Sequence, residues 1–366
     1  MRILLLTSHL NIGGIAVYTV TLANYLHKRG HSVFVASSGG SLEAELLSDI
    51  KHIRVPLNTK SEASIKIWLT ALRLRRLIKD ENIQIIHAQT RVAQFVAHFI
   101  SGLTSIPYVV TWHGYYRPHF FRRLFPCWGK RTIAISQSVL HHLVDVFKRD
   151  EDKIRLILNG VDALKFKNDY SPSQKEDIKR RYGLKNGPIV GIISRLVPEK
   201  GHIYLIEAFK ELLKQIPDAQ LVIIGDGRLK SELKRKVLKL GIDNAVSFFD
   251  ETLDAKSFLA IMNIFTRPSI SEGFGLGIVE AMLMGLPVVA TDVGGIEAIL
   301  SQDKFGILVP LRNVVALKDA LVRVLTDSGL AKKLGEAARV HALENFSADR
   351  MAAQVEQVYQ EVTESF

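Results

Sequence analysis

The chain has 366 residues, 47% of them apolar and 23% charged, which excludes disordered, collagen-like and miniprotein classes and suits about two domains of ~150 residues each. One cysteine, Cys127, excludes an internal disulfide framework and a cysteine-rich zinc site, and points to a reducing compartment. The net charge is +11, and residues 1–165 hold 22 Lys or Arg against 11 Asp or Glu while residues 166–366 hold 26 of each. The excess therefore lies in the first half, where it suits a polyanion, an anionic membrane surface or an acidic small molecule.

No apolar run approaches the ~20 residues that a membrane helix needs. The opening Met1-Arg2-Ile3-Leu4-Leu5-Leu6 turns polar at Thr7-Ser8-His9, too soon for a signal peptide. The expectation is a soluble cytoplasmic protein. Along the first half, short β-branched runs predict strands at 3–7, 33–37, 53–55, 83–87, 108–111, 132–135 and 155–158. Helical periodicity falls between them at 15–29, 42–49, 64–80, 90–101 and 138–148. The polar stretch 167–173 reads as a linker. A second series follows, with strands expected at 189–194, 221–225, 245–249, 264–266, 288–291 and 306–309. Strands alternating with helices imply parallel sheets covered on both faces. The predicted fold class is α/β: two doubly wound, Rossmann-like domains, 1–165 and 166–346, facing across a cleft. The stretch 347–366 is helical and free to pack back on the first domain.

Three segments carry chemistry. In the first, Arg267-Pro268-Ser269-Ile270-Ser271-Glu272-Gly273-Phe274-Gly275-Leu276-Gly277-Ile278-Val279-Glu280 follows a strand and opens a helix. Its glycines let a ligand approach the backbone, and free helix amides suit a phosphate. Glu272 and Glu280 bracket those amides, and carboxylates so near a phosphate suit hydroxyl groups. Together they read as a nucleotide-sugar site, with a Gly-rich turn and a capping acid as the plain alternative. Next, Ile193-Ser194-Arg195-Leu196-Val197-Pro198-Glu199-Lys200-Gly201 places Arg195 and Lys200 at a strand's C-terminal end, where two cations neutralise a diphosphate. In the third, Gly13-Gly14 opens the first helix and offers an amide from the other domain, without the full dinucleotide fingerprint. Two strand-end histidines, His87 and His113, are expected to face the cleft, His113 with Gly114 behind it. No His, Cys, Asp or Glu cluster has metal-ligand spacing, so neither metal nor cofactor is expected. Nor is there a nucleic-acid recognition module.

These residues resemble a known family. Ser271-Glu272-Gly273-Phe274-Gly275 through Glu280-Ala281-Met282, then Gly285-Leu286-Pro287, is similar to the signature of the retaining glycosyltransferases of family 4, with the GT-B fold. So are Ser194-Arg195-Leu196 with Glu199-Lys200-Gly201, Gly225-Asp226-Gly227, Asn159-Gly160-Val161-Asp162 and Gly13-Gly14, in the family's order. The resemblance implies a role for each. Arg195 and Lys200 bind the donor diphosphate, which Gly14 also meets, and Glu280 holds the ribose. Glu272 and the amides at Phe274, Gly275 and Leu276 hold the sugar, and His113 approaches the reacting carbon. His113, Arg195, Lys200 and Glu272 form the catalytic set. The C-terminal helix crosses to the first domain, and Asn159-Gly160-Val161-Asp162 lies near a hinge. One departure stands out: members often have Gly where this chain has Asp250, near the base, which leaves the base open.

The first half holds no obvious nucleophilic carboxylate beside His113, which fits attack by the acceptor hydroxyl on the face from which the diphosphate leaves. The expected donor is a nucleotide sugar, UDP-linked, and the acceptor a lipid-linked or anionic glycan of cell-envelope polysaccharide or lipopolysaccharide assembly. Alternatives are a GT-B 2-epimerase and a nonenzymatic nucleotide-sugar-binding protein. Residues 115–131 mix aromatics with bases, and Tyr115, Arg117, Phe120, Phe121, Arg122, Arg123 and Trp128 fit an anionic membrane surface or acceptor as well as they fit a buried aromatic loop. The helix at 64–80, with Trp68, Arg73, Arg75, Arg76 and Lys79, could add to such a membrane surface but reads rather as an ordinary amphipathic surface helix.

Overall fold

A computed structural model describes residues 1–59, 61, 62, 64–118 and 120–364, apart from the side chains of Phe121 and Arg123. The chain falls into two compact units, one of Met1–Gly160 joined by the helix Ala348–Glu364 and one of Val161–Ser347.

In the first unit the strands are β1 (Arg2–Leu6), β2 (Ser32–Ser37), β3 (Lys51–Arg54), β4 (Ile85–Ala88), β5 (Tyr108–Trp112), β6 (Arg131–Ala134) and β7 (Ile154–Leu156). They form one parallel sheet in the order β3-β2-β1-β4-β5-β6-β7, with Ile3 beside Val33 and Leu4 beside Ile86. Alternation along β1 feeds two cores. Ile3 and Leu5 pack with the helices Gly14–Lys28 and Ala348–Glu364, while Leu4 and Leu6 pack with the helices Ile65–Asp80 and Arg91–Thr104. A sheet buried on both faces requires such continuous apolar strands.

The helix Ala348–Glu364 belongs to the first unit by burial and by charge. Met351, Val355, Val358, Tyr359 and Val362 are all buried in its core. Burying a side chain of that size is worth about 1.5–3 kcal/mol before entropy is charged. Glu356 pairs with Arg29 at 2.8 Å and with His31 at 2.9 Å, and Glu361 accepts from Arg131 at 2.7 Å and Arg155 at 3.1 Å.

The second unit repeats the plan with β8 (Ile189–Ile193), β9 (Gln220–Ile224), β10 (Val246–Phe249), β11 (Ile264–Arg267), β12 (Val288–Thr291) and β13 (Ile307–Val309), in the order β10-β9-β8-β11-β12-β13. Its core gathers Val190, Ile192, Phe209, Ile223, Ile264 and Val289.

Three local expectations change. The helix expected at 42–49 is a 3₁₀ stretch, Ser41–Glu45. Asn24 explains why it stops: its amide donates to the Glu45 carbonyl at 2.8 Å and accepts from the Leu47 N–H at 3.0 Å, taking groups that a longer helix would pair. The stretch 167–173 is no free linker, because Phe166 is buried, Asn168 donates to the Met284 carbonyl at 3.2 Å and Asp169 pairs with Lys256. The units part instead between Gly160 and Val161, inside Asn159-Gly160-Val161-Asp162 rather than at 165/166. At that point the Val161 N–H donates to the Phe346 carbonyl at 2.8 Å.

Candidate active site

Strand order reverses in the second unit between β8 and β11, the point where open α/β sheets hold ligands beyond their carboxyl ends. Two loops border it, one after β8 running to Gly201 and one after β11 running to Gly275. Backbone bonds stitch them together. The Ile270 and Ser271 N–H groups donate to the Glu199 carbonyl at 2.8 and 3.4 Å, and the Gly295 N–H, from the loop after β12, donates to the Glu272 carbonyl at 3.1 Å.

Charge concentrates there. Arg267 ends β11, is buried, and donates from Nη2 to the Ile193 carbonyl at 2.8 Å. Beside it, Lys200 Nζ donates to both oxygens of Glu272 at 2.9 and 2.8 Å, with both side chains less than 15% exposed. Ser269 Oγ donates to Glu272 Oε2 at 3.2 Å. Burial pushes the Glu272 carboxyl up, but Lys200 and Arg267 together outweigh it and hold the group below the ordinary range, ionised at neutral pH. Glu280 differs. Burial pushes its carboxyl up to about 7, and Arg267 and Lys165 only partly offset that. Arg195 is exposed at the mouth of the same loop.

The turn between these acids depends on glycine. Gly275 sits at φ +114° as the N-cap of the helix Leu276–Leu283, a conformation L side chains rarely adopt. At Gly277 a Cβ would lie 2.6 Å from Arg267 Nη2, so only hydrogen leaves room for the buried guanidinium. The first amides of this helix lack intrahelical acceptors and face the same end of the sheet as Lys200. Phe274 contributes backbone only, because its ring is buried against Phe346 at 5.8 Å.

The first unit has its own reversal, between β1 and β4. Gly13 caps the helix Gly14–Lys28 just beyond β1. His113, after β5, is partly buried with Nε2 3.0 Å from Gln89 Oε1 and its ring edge-on to Tyr18 at 4.8 Å. Burial pushes it down to about 3, so it is neutral. His87 does not face the sheet end as expected. It is fully buried, with Nδ1 2.6 Å from the Tyr359 hydroxyl and Nε2 2.7 Å from Thr111 Oγ1. Strand alternation turns it inward, toward the C-terminal helix.

The second unit thus brings Arg195, Lys200, Glu272, Phe274, Gly275, Leu276 and Glu280 to one sheet end, and the first brings Gly13, Gly14 and His113 to one end of its own. Sequence reasoning missed Arg267 and Gln89. The signal for Arg267 was a cation closing the apolar strand Ile264-Phe265-Thr266; Gln89, two residues past His87, had none.

The 115–131 segment divides. Trp112 is buried and collects Tyr116 and Trp128 at 5.1 and 5.2 Å, with Arg122 over the Tyr116 ring at 4.8 Å. Trp128 and Arg122 therefore belong to an aromatic cluster. Tyr115, Arg117 and Phe120 are exposed. The side chains of Phe121 and Arg123 lie outside the described residues. Asp250 is exposed and ion-paired with Lys230. Among the described residues no group of three or more His, Cys, Asp or Glu is placed to hold a metal ion, and no helix is long and apolar enough to cross a membrane.

Residues 174–341 match the family model for glycosyl transferases group 1, and residues 12–163 match the model for glycosyltransferase family 4. An uncharacterized glycosyltransferase of Methanocaldococcus jannaschii is 27% identical over 370 residues, covering 95% of this chain and 94% of its own. The UDP-Gal:α-D-GlcNAc-diphosphoundecaprenol α-1,3-galactosyltransferase of Escherichia coli is 28% identical over 323 residues, covering 81% of this chain and 80% of its own. Among solved structures, a glycosyltransferase from Rickettsia africae superposes with a TM-score of 0.87 at 28% identity, over 100% of this chain and 99% of that one.

Proposed function

Because the chain belongs to the family 4 glycosyltransferases and has their two Rossmann-like units, we propose that it moves a sugar from a nucleotide diphosphate, a UDP-sugar, to a hydroxyl of a lipid-linked or anionic glycan with retention of configuration. The observation that carries this reading is the Lys200–Glu272 pair beside Arg267, Gly275 and a first-turn amide cluster at the β8/β11 reversal. Cations, amides and acids in that order suit a diphosphate flanked by two polyhydroxylated groups.

Each group then has a task. Lys200 and Arg195 meet the diphosphate and stabilise the charge that grows as it departs. Glu280 accepts from the ribose hydroxyls. Glu272, turned from Lys200 toward the donor, accepts from the sugar. The acceptor oxygen bonds to the anomeric carbon on the face where the bond to the diphosphate breaks, and the hydroxyl proton passes to the leaving phosphate oxygen. His113, neutral and with its Nε2–H donated to Gln89 Oε1, accepts from a sugar hydroxyl at Nδ1 and supplies no charge. None of these steps calls on a metal, so chelation should leave turnover intact.

The Escherichia coli relative, whose name specifies a UDP-sugar donor and a diphosphoundecaprenol-linked acceptor, supports a UDP-sugar donor and a lipid-linked acceptor, and such an acceptor suits envelope polysaccharide assembly. A panel of UDP-, GDP- and ADP-sugars scored by thermal stabilisation tests the donor, since ligands of the native state raise its apparent stability. UDP-sugars should raise Tm most. No response to any sugar nucleotide sinks the reading, and a product of inverted anomeric configuration removes retention. Interconversion of the sugar nucleotide without an acceptor would favour the epimerase reading instead.

A further inference from the structure

The helix Ile65–Asp80 has two apolar sides. Ile67, Ala71, Leu74 and Ile78 seat it in the core of the first unit. Its outward side carries Ile65, Trp68, Leu69 and Leu72, spaced i, i+3, i+4, i+7 as one stripe, and these are 68%, 48%, 53% and 60% exposed. A helix that merely roofs a core is polar outside; this one is not. Trp68 is held from beneath by Phe99, ring to ring at 4.3 Å, so it projects from a fixed base.

Further along, the outward side changes character. Arg73, Arg75, Arg76 and Lys79 are all exposed, and among the described residues only Arg76 has an ion-pair partner, Asp80 at 3.6 Å. Apolar and cationic surfaces thus follow one another along one rigid axis, each about 10 Å long at 1.5 Å per residue. Whatever covers this surface is apolar at one depth and anionic about one helix half away. The boundary between acyl chains and acidic headgroups has that profile. A second copy of the chain does not, because pairing like halves would set arginines against arginines.

We propose that Ile65–Asp80 docks the protein on an anionic bilayer, its N-terminal half tilted below the headgroups and Arg73, Arg75, Arg76 and Lys79 on their phosphates. This deepens the reading of a lipid-linked acceptor, which supplies its purpose. In residues 115–131, by contrast, Trp128, Tyr116 and Arg122 are engaged around Trp112, while Tyr115, Arg117 and Phe120 stay exposed.

The full-length protein is tested by co-sedimentation with phosphatidylcholine vesicles with and without phosphatidylglycerol, at low and physiological salt. Quenching of tryptophan fluorescence by brominated lipid is read alongside, with Trp68→Phe identifying the Trp68 contribution. Wild type should bind only the anionic vesicles, more weakly as salt rises, with Trp68 quenched. The triple variant I65S/L69S/L72S and the pair R73E/R76E should each lose at least about tenfold in partition with Tm unchanged, as all five positions are exposed. Wild-type-like vesicle binding by both variants overturns the proposal. So does loss confined to Phe120→Ser, which would assign docking to the other segment, or a shift from dimer to monomer in I65S/L69S/L72S with vesicle binding kept. Vesicle binding that follows these variants in a protein unresponsive to every sugar nucleotide would refute the proposed function and leave the docking helix standing.

Discussion

The two strand-order reversals have the same topology and opposite chemistry. At β8/β11 the chain collects formal charge: Arg267 beneath, Lys200 locked to Glu272, Glu280 beside them. At β1/β4 it collects neutral polar groups in a chain of close contacts, Tyr359 to His87 to Thr111 to Tyr18, with His113 and Gln89 alongside. One architecture thus serves two purposes. A preorganised ionic cradle suits a diphosphate whose charge grows in the transition state, while the neutral network, with Tyr359, His87, Thr111 and Tyr18 all buried, ties the sheet to the C-terminal helix and leaves only His113 beside the sheet end.

The contrast is most sharply broken at Lys200. Lys200→Met should lower kcat/KM by about 10²–10³, the usual loss for one group stabilising a developing charge. It should also destabilise the fold, by up to about 3–5 kcal/mol, because buried Glu272 loses its ion-pair partner and keeps only the Ser269 hydroxyl and the charge of Arg267. Lys200→Met/Glu272→Gln should recover the stability and none of the turnover, as read by denaturant titration beside steady-state kinetics. Recovery of both would make the pair a purely structural device.

The neutral network offers the next largest effect. Tyr359→Phe leaves His87 Nδ1 buried without its partner and should cost about 1–3 kcal/mol. Since Tyr359 reaches the first unit's core from the C-terminal helix, the loss should appear as earlier melting of that unit, followed by hydrogen exchange. Unchanged exchange would show that the contact contributes nothing.

Glu280 gives a pH signature. Its carboxyl is raised to about 7, so the folded state binds that proton more tightly than the unfolded chain, and its contribution to stability falls as pH rises from about 4.5 through 7. Glu280→Gln removes this slope, and its Tm should exceed wild type on the alkaline side. Donor affinity of the wild type should run the other way, rising as the carboxylate forms, whereas Glu280→Gln should bind donor several-fold more weakly without that pH dependence. Calorimetry across pH 5–9 reads both.

Least is expected at Asp250, an exposed partner of Lys230. Asp250→Gly should leave Tm and maximal turnover unchanged, and a competition series of UDP-, GDP- and ADP-sugars should reveal any shift in base preference.

Much of the fold was legible because it rests on local pattern. Each strand expected in both halves is present within a few residues, since a run such as Ile3-Leu4-Leu5-Leu6 fits only a strand buried on both faces. Gly275 and Gly277 marked the turn into the helix Leu276–Leu283 for an equally local reason, the room that a missing side chain leaves for the backbone. The 42–49 segment escaped because Asn24, in another helix, took its hydrogen-bonding groups. The inward turn of His87 escaped because its partner, Tyr359, is 272 residues away.

Amino-acid order alone settled where the chain extends, coils and turns, and where glycine-rich loops follow the strands, because those depend on periodicity, glycine and the nearest neighbours. Only the tertiary structure decided that Lys200 meets Glu272, that Arg267 lies beneath them, and that one side of Ile65–Asp80 stays uncovered. Burial and pairing are properties of neighbours in space, and no spacing along the chain encodes which neighbour arrives.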